Sequence, residues 1–309
     1  MAHEFTPLQR EIIAGLSAGT LTTVATHPLD LVKLRLQLLA TSHQSHGYTE
    51  VIKTIVTDSK ANGTFIREAY RGLGVNLVGN SIAWGLYFGL YRFSKDAVYR
   101  MWTKDPDSDG QTSFQKDSTM GPLFYLASAA LSGIATAVLT NPIWVVKTRI
   151  MSTNARAAHG YKTMWDGIRK IYTQEGLTGF WRGLLPSLFG VGQGAIYFTA
   201  YDSLKHRYFA SRGIHKEQKL DNLENIALTS VSRMVSVSAV YPLQLLKSNL
   251  QSFEAVKQQN SYKLWALIRS IYYKDGAKGL YKGLSANLVR ALPSTCITFC
   301  IYENMRHWL

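Results

Sequence analysis

One ten-residue phrase occurs three times in this chain, and it limits the possible folds more tightly than any other feature. Pro28-Leu-Asp-Leu-Val-Lys-Leu-Arg-Leu-Gln37, Pro142-Ile-Trp-Val-Val-Lys-Thr-Arg-Ile-Met151 and Pro242-Leu-Gln-Leu-Leu-Lys-Ser-Asn-Leu-Gln251 keep Pro and Lys at one offset. A second phrase follows each: Tyr70-Arg71-Gly72, Trp181-Arg182-Gly183 and Tyr281-Lys282-Gly283. Two phrases in fixed order, three times over, mean three copies of a unit of about 100 residues. The copies divide the chain at 1–112, 113–214 and 215–309. Length alone would allow two or three separate domains. The repeat argues instead for one structural unit, because each copy has apolar helical faces it cannot bury alone.

Composition narrows the class. Apolar residues make up 46% and charged ones 17%, below the roughly 25% of soluble proteins. An excess of 34 basic over 20 acidic residues gives a net charge of +14. Nucleic acid, anionic lipid or an anionic substrate drawn into a cavity could each explain that charge. Zinc-finger spacing, an RNA-binding sheet motif and long basic runs are all missing from the sequence, so no nucleic-acid partner is expected. Cys296 and Cys300 are too few for a zinc site, the eight histidines are scattered, and the two thiols read as a buried pair. Neither a metal nor a bound cofactor is expected. Met1 to Pro7 has neither a secretory apolar core nor an Arg-rich presequence, so any organelle address is expected to be internal.

Segments of membrane-spanning length fall at about 8–39, 74–102, 120–153, 184–208, 222–253 and 284–308. None is a clean apolar run. Small residues at helical spacing (Gly15, Gly19; Ala129, Gly133) would permit close packing, and polar positions gather on one face, as a water-filled cavity requires. Short amphipathic stretches at about 48–61, 161–174 and 261–274 end before Gly63, Gly176 and Gly276 and suit helices lying in a membrane interface. Each unit thus crosses twice and returns. Three such units are parallel repeats about an axis along the membrane normal, giving an all-α membrane protein of six helices around a central cavity.

Pro28, Pro142 and Pro242 are expected to kink the first, third and fifth helices so that their ends converge. Asp30/Lys33, Trp144/Lys147 and Gln244/Lys247 follow at i, i+3 and so share a helix face. Charges at converging ends can pair between helices and close the cavity reversibly. Static capping of carbonyls by the lysines is the plainer alternative, and threefold symmetry favours the gate. Arg233 stands nine residues before Pro242, where the other units have Gly19 and Gly133. A cation facing lipid there would cost roughly 2.5–3.5 kcal/mol, so Arg233 is expected to face the cavity, unless it pairs with a structural acid or carbonyl.

These phrases resemble the motif of the mitochondrial carrier family over the whole chain. The family's second motif, aromatic-acidic-x-x-basic on even helices, is met by Tyr201-Asp202-Ser-Leu-Lys205 and Tyr302-Glu303-Asn-Met-Arg306, while Tyr91-Arg92-Phe-Ser-Lys95 has Arg92 in place of the acid. The resemblance implies a multi-pass carrier of the mitochondrial inner membrane that works by alternating access as a monomer, with inner-membrane lipids such as cardiolipin as partners and its termini in the intermembrane space. It implies a matrix gate of Asp30, Lys33, Trp144, Lys147, Gln244 and Lys247, and a cytoplasmic gate of Lys95, Asp202, Lys205, Glu303 and Arg306. Trp144, Gln244 and Asn249 depart from the family's charged pattern. Asp30 is therefore expected to form the one full pair, with Lys147, and Gln244 a hydrogen bond to Lys33.

Trp in Pro-Ile-Trp-Val-Val-Lys-Thr-Arg resembles the branch carrying folate, flavin, pyridine and pyrimidine nucleotides. Arg290-Ala-Leu-Pro-Ser-Thr-Cys-Ile-Thr-Phe-Cys-Ile-Tyr-Glu-Asn304 and Asn80-Ser-Ile-Ala-Trp-Gly-Leu-Tyr-Phe-Gly-Leu-Tyr91 are most similar to its folate and FAD carriers. The family's contact points map to Gly79 with Asn80, Gly190 with Val191, and Arg290. Arg233 and Arg290 could clamp a pyrophosphate, with Trp84, Tyr87 and Gly190-Val191 as surfaces for flat rings. The expected cargo is FAD, as substrate rather than cofactor, with folate, NAD or a pyrimidine nucleotide as alternatives. A soluble helical scaffold would need no converging prolines and no Arg233. No nucleotide-binding glycine loop or nucleophile–base grouping favours an enzyme.

Overall fold

The computed structural model describes residues 7–38, 48–62, 65–103, 121–153, 160–161, 163–212, 221–252 and 264–308. These residues form eleven α-helices: α1 (Pro7–Leu38), α2 (Tyr48–Asn62), α3 (Phe65–Ala69), α4 (Leu73–Thr103), α5 (Pro122–Ser152), α6 (Met164–Glu175), α7 (Leu184–Gly190), α8 (Gln193–Arg212), α9 (Asn222–Gln251), α10 (Leu264–Gly279) and α11 (Leu284–Trp308). A 3₁₀ turn, Leu177–Trp181, joins α6 to the second aromatic-basic-Gly phrase. The described residues contain no strand.

The six long rods are α1, α4, α5, the α7–α8 pair, α9 and α11. Each even rod packs along the odd rod of the next unit, α4 on α5 and α8 on α9, while α11 packs along α1 and closes the ring. Pro28, Pro142 and Pro242 lie inside continuous helices, each removing one backbone hydrogen bond. The fourth rod alone is interrupted, at Val191–Gly192. That unit is one residue shorter between its glycine and its aromatic-acidic motif, and the interruption absorbs the loss. Leu123–Ser152, Leu223–Gln251 and Leu284–Ile301 are long and apolar enough to cross a membrane by length and composition.

The turn chemistry recurs in each unit. Gly72, Gly183 and Gly283 all have positive φ, at 82°, 70° and 84°, a conformation that glycine alone adopts without strain. Gly176 ends α6 and Gly276 breaks α10, at φ 70° and 64°, with ψ −165° and −159°, an extended positive-φ conformation essentially confined to glycine. Gly63 lies outside the described residues. Thr163 caps α6 by accepting from the Asp166 backbone N–H, and Asp221 with Glu224 forms a reciprocal capping box on α9.

Three separate cores weld each odd helix to its short interface helix. In the second, Val145, Val146 and Ile150 of α5 enclose Ile171 of α6, which is fully buried. Truncating Ile171 to Ala would cost about 2–5 kcal/mol. Gly133 packs so tightly on Val191 that an added Cβ would sit 2.6 Å from its Cγ1. Gly15 and Gly19 differ from the close-packing expectation, since a Cβ on either would meet nothing within 4 Å. Cys296 and Cys300 are both exposed, which corrects the expected buried pair. A small, weakly polar thiol is compatible with an outward wall that meets lipid.

A tie not visible in the motif alignment closes every unit. His27, Asn141 and Tyr241, each immediately before the proline, all reach the carbonyl of the basic residue in the aromatic-basic-Gly phrase. His27 Nε2 lies 2.9 Å from Arg71 O, Asn141 Nδ2 donates to Arg182 O at 3.2 Å, and Tyr241 Oη donates to Lys282 O at 2.7 Å. The three residues differ in type, so the repeated phrase starts one position after them.

Candidate functional site

The ring encloses a cavity of about 440 Å³, walled by α1, α5, α7, α8, α9 and α11. Its ionisable wall residues are Asp30, Lys33, Lys147, Arg233, Lys247 and Arg290, five cations against one carboxylate. Among the described residues, Lys33, Lys247 and Arg233 make no side-chain hydrogen bond or ion pair. Cations left without protein partners in a partly buried cavity favour an anion from outside.

Asp30 Oδ1 lies 2.8 Å from Arg290 Nη1, a pair that joins unit one to unit three. This corrects the expected Asp30–Lys147 pair. Lys147 turns instead to Asn76, donating to its Oδ1 at 2.8 Å, and sits 5.1 Å from the centre of the Trp144 ring. Gln244 also departs from expectation. It donates to Gln193 Oε1 at 3.0 Å and accepts from Asn287 Nδ2 at 3.3 Å, rather than bonding Lys33.

Asn249 explains its own departure from the family pattern. It is buried and donates to the Gln37 carbonyl at 3.0 Å, where a charge would need a counterion. Arg149 holds the corresponding place in unit two, with Glu175 at 2.8 Å as that counterion. Outside the membrane-length helices, burial pushes the Tyr161 hydroxyl up, partly offset by the Arg149 guanidinium beside it. The hydroxyl remains neutral and accepts from Arg149 Nη1 at 3.3 Å.

Of the expected substrate contacts, Arg233, Arg290 and Gly190 border this cavity; Gly79, Asn80, Trp84, Tyr87 and Val191 do not. A Cβ on Gly79 would meet Ile143 at 3.0 Å and the Trp144 ring at 3.4 Å, so this glycine seats α4 on α5. Asn80 donates to Asn76 Oδ1 at 3.4 Å. Trp84 is 59% exposed and stacks on Phe88, while Tyr87 stacks on Tyr91. Val191 is turned away by the shortened fourth rod and packs on Gly133.

At the opposite end, Asp202 is exposed and makes no side-chain hydrogen bond or ion pair among the described residues. Lys205 lies over the rings of Tyr201 and Phe209 of its own helix, and Lys95 lies over Tyr125. The side chains of Glu303 and Arg306 lie outside those described. Asn76, Ser187 and Asn287 were not singled out from sequence, yet each stands four residues after the left-handed glycine, bonding its backbone N–H to that glycine's carbonyl. That offset was the available signal.

Three repeats closing a helical ring around a cation-rich cavity define a membrane carrier. The sequence matches the mitochondrial carrier protein family over residues 5–102, 118–212 and 218–309, and the chain belongs to that family. It is 52% identical over 314 residues to the mitochondrial FAD carrier protein of Saccharomyces cerevisiae, covering 99% of each chain. It is 33% identical to mitochondrial nicotinamide adenine dinucleotide transporter 1 of the same yeast, over 100% of this chain and 80% of that one. Identity to chloroplastic folate transporter 1 of Arabidopsis thaliana is 32%, over 94% and 92% of the two chains.

Proposed function

We propose that this protein carries FAD across the mitochondrial inner membrane by alternating access, crossing it six times with both termini in the intermembrane space. The observation that carries the reading is the surplus of cavity cations, above all Arg233, which bonds no protein group among the described residues. The likeness to the yeast FAD carrier supports FAD over the folate and NAD cargoes named for the more distant relatives. The working form is a monomer, held among anionic inner-membrane lipids such as cardiolipin.

In this mechanism the pyrophosphate enters between Arg233 and Arg290, since two guanidinium forks match paired phosphoryl oxygens. The substrate competes with Asp30 for Arg290. A displaced Asp30 stays within electrostatic reach of Lys33 and Lys147 and can join either. Substrate entry and rearrangement of the contacts between converging helices are thereby linked through one carboxylate. No covalent bond changes, and binding energy is spent on shifting an equilibrium between two states.

Uptake of labelled FAD, NAD and folate into liposomes containing the purified chain tests the reading. FAD is expected to be taken up with the highest kcat/KM. Preference for NAD or folate by ten-fold or more would overturn the FAD assignment.

A further inference from the structure

Trp144 stands where the repeat pattern puts a gate acid, but its surroundings are those of a binding surface. It is the only aromatic side chain among the described residues that wall the cavity. The indole is fixed on three sides. Its Nε1 donates to Thr140 Oγ1 at 3.1 Å, Lys147 Nζ lies 5.1 Å from its ring centre, and its six-membered ring rests on Gly79. Lys147 is in turn held by Asn76. A side chain at position 79 would press on that ring, with its Cβ already 3.4 Å from two ring carbons.

We infer that Trp144 is the stacking surface that reads a flat ring of the substrate, and that Gly79 is the positioning residue that seats it. The inference deepens the FAD reading and rests on it. Both rings of a flavin dinucleotide, isoalloxazine and adenine, can lie flat on an indole, whereas the pyrophosphate between them is left to Arg233 and Arg290. Trp84 and Tyr87, away from the cavity wall, are not needed for this contact. The same indole has no charge to contribute to an ion-pair ring, and the stacking role accounts for its presence at the position that Asp30 occupies in unit one.

The test uses the full chain in liposomes and measures competition against labelled FAD by FMN, ADP and inorganic pyrophosphate. Wild type is compared with Trp144→Leu, Trp144→Phe and Gly79→Val. Loss of a ring stack is worth about ten-fold or more in affinity, so Trp144→Leu is expected to weaken FMN, ADP or both by about that factor. Trp144→Phe is expected to retain most of the affinity, and Gly79→Val to follow Trp144→Leu. Pyrophosphate, which has no ring, is expected to compete unchanged in all three. The half-substrate that loses affinity identifies which ring lies on Trp144.

Equal weakening of all three competitors, or of none, would overturn the inference. Folding is read separately, from the rise in melting temperature that pyrophosphate produces in detergent. If Trp144→Leu loses that rise, Gly79→Val and Trp144→Phe decide by the same criterion. Failure of the FAD reading looks different, because wild type then takes up no FAD. The competition is then run against whichever ring-bearing substrate wild type does accept.

Discussion

The two ends of the ring are held by unlike chemistry. Where the odd helices converge, all three units are cross-linked. Asp30 meets Arg290, Lys147 meets Asn76, and Gln244 meets Gln193. Below these, Ser248 and Asn249 bond Gln37, while Thr148 and Arg149 bond Gln251. At the end where α1 begins and α11 finishes, the described contacts are mostly between packed neighbours, such as Tyr201–Asn225 and Arg212–Glu224. Lys205 rests on rings of its own helix, and Asp202 makes no side-chain hydrogen bond or ion pair among the described residues. The described residues thus tie all three units together at the first end, and link packed neighbours at the second. Among the ties at the first end, the neutral amide and hydroxyl hydrogen bonds, such as Gln244–Gln193 and Ser248–Gln37, are worth only about 1 kcal/mol each net, and they can be exchanged without stranding a buried charge.

Four substitutions separate the permanent contacts of the cross-linked end from the exchangeable ones. The largest effect is expected from Arg149→Leu, since Arg149 and Glu175 are 0% and 2% exposed. Removing one partner of a buried pair costs about 3–5 kcal/mol, so this variant should yield little folded protein in a detergent melting assay. Normal melting would mean that Arg182, also paired with Glu175, can hold it alone.

Next comes Arg233→Ala. A hydrogen bond to a charged group is worth about 1.5–3 kcal/mol, so FAD affinity in uptake assays should fall by about ten-fold or more. Tm should stay unchanged, because Arg233 bonds no protein group among the described residues. A large fall in Tm with normal uptake would make Arg233 structural.

Asp30→Asn should act in the opposite direction on affinity. It releases Arg290, whose pair with Asp30 is 22% and 16% exposed and so worth about 1 kcal/mol or less. FAD should bind about two- to five-fold tighter, while the uptake rate falls because no carboxylate remains to pass to the lysines. Unchanged affinity would remove Asp30 as the substrate's rival. The smallest effect belongs to Asp202→Asn, expected to leave Tm within the experimental error of wild type, as a surface change of about 0.5 kcal/mol or less would. A clear loss of stability would show that Asp202 is tied after all.

Most of the fold was legible because it rests on local rules applied three times. Helix limits read from apolar length and glycine stops agree within a few residues with α1, α4, α5, α9 and α11. Side-chain partners were less legible. Asp30 has several cations within reach, and only the position of α11 beside α1 selects Arg290. Val191 was read as a contact point by an offset that one missing residue had already broken. Aromatic clustering pointed to Trp84 and Tyr87, but such clusters serve an outer helical wall equally well. Trp144 was treated as a missing acid, and the cavity around it was needed to show what an indole does there.

The residue before each proline carries a mechanical consequence. Proline leaves its helix one hydrogen bond short, which would ordinarily make that point the hinge. Here His27, Asn141 and Tyr241, all buried, bolt the weak point to the left-handed glycine turn of the same unit. Each odd helix, its interface helix and the start of the next rod thus form a stiff bracket. Such brackets are expected to resist straightening and to pivot against one another where the exchangeable amide contacts lie.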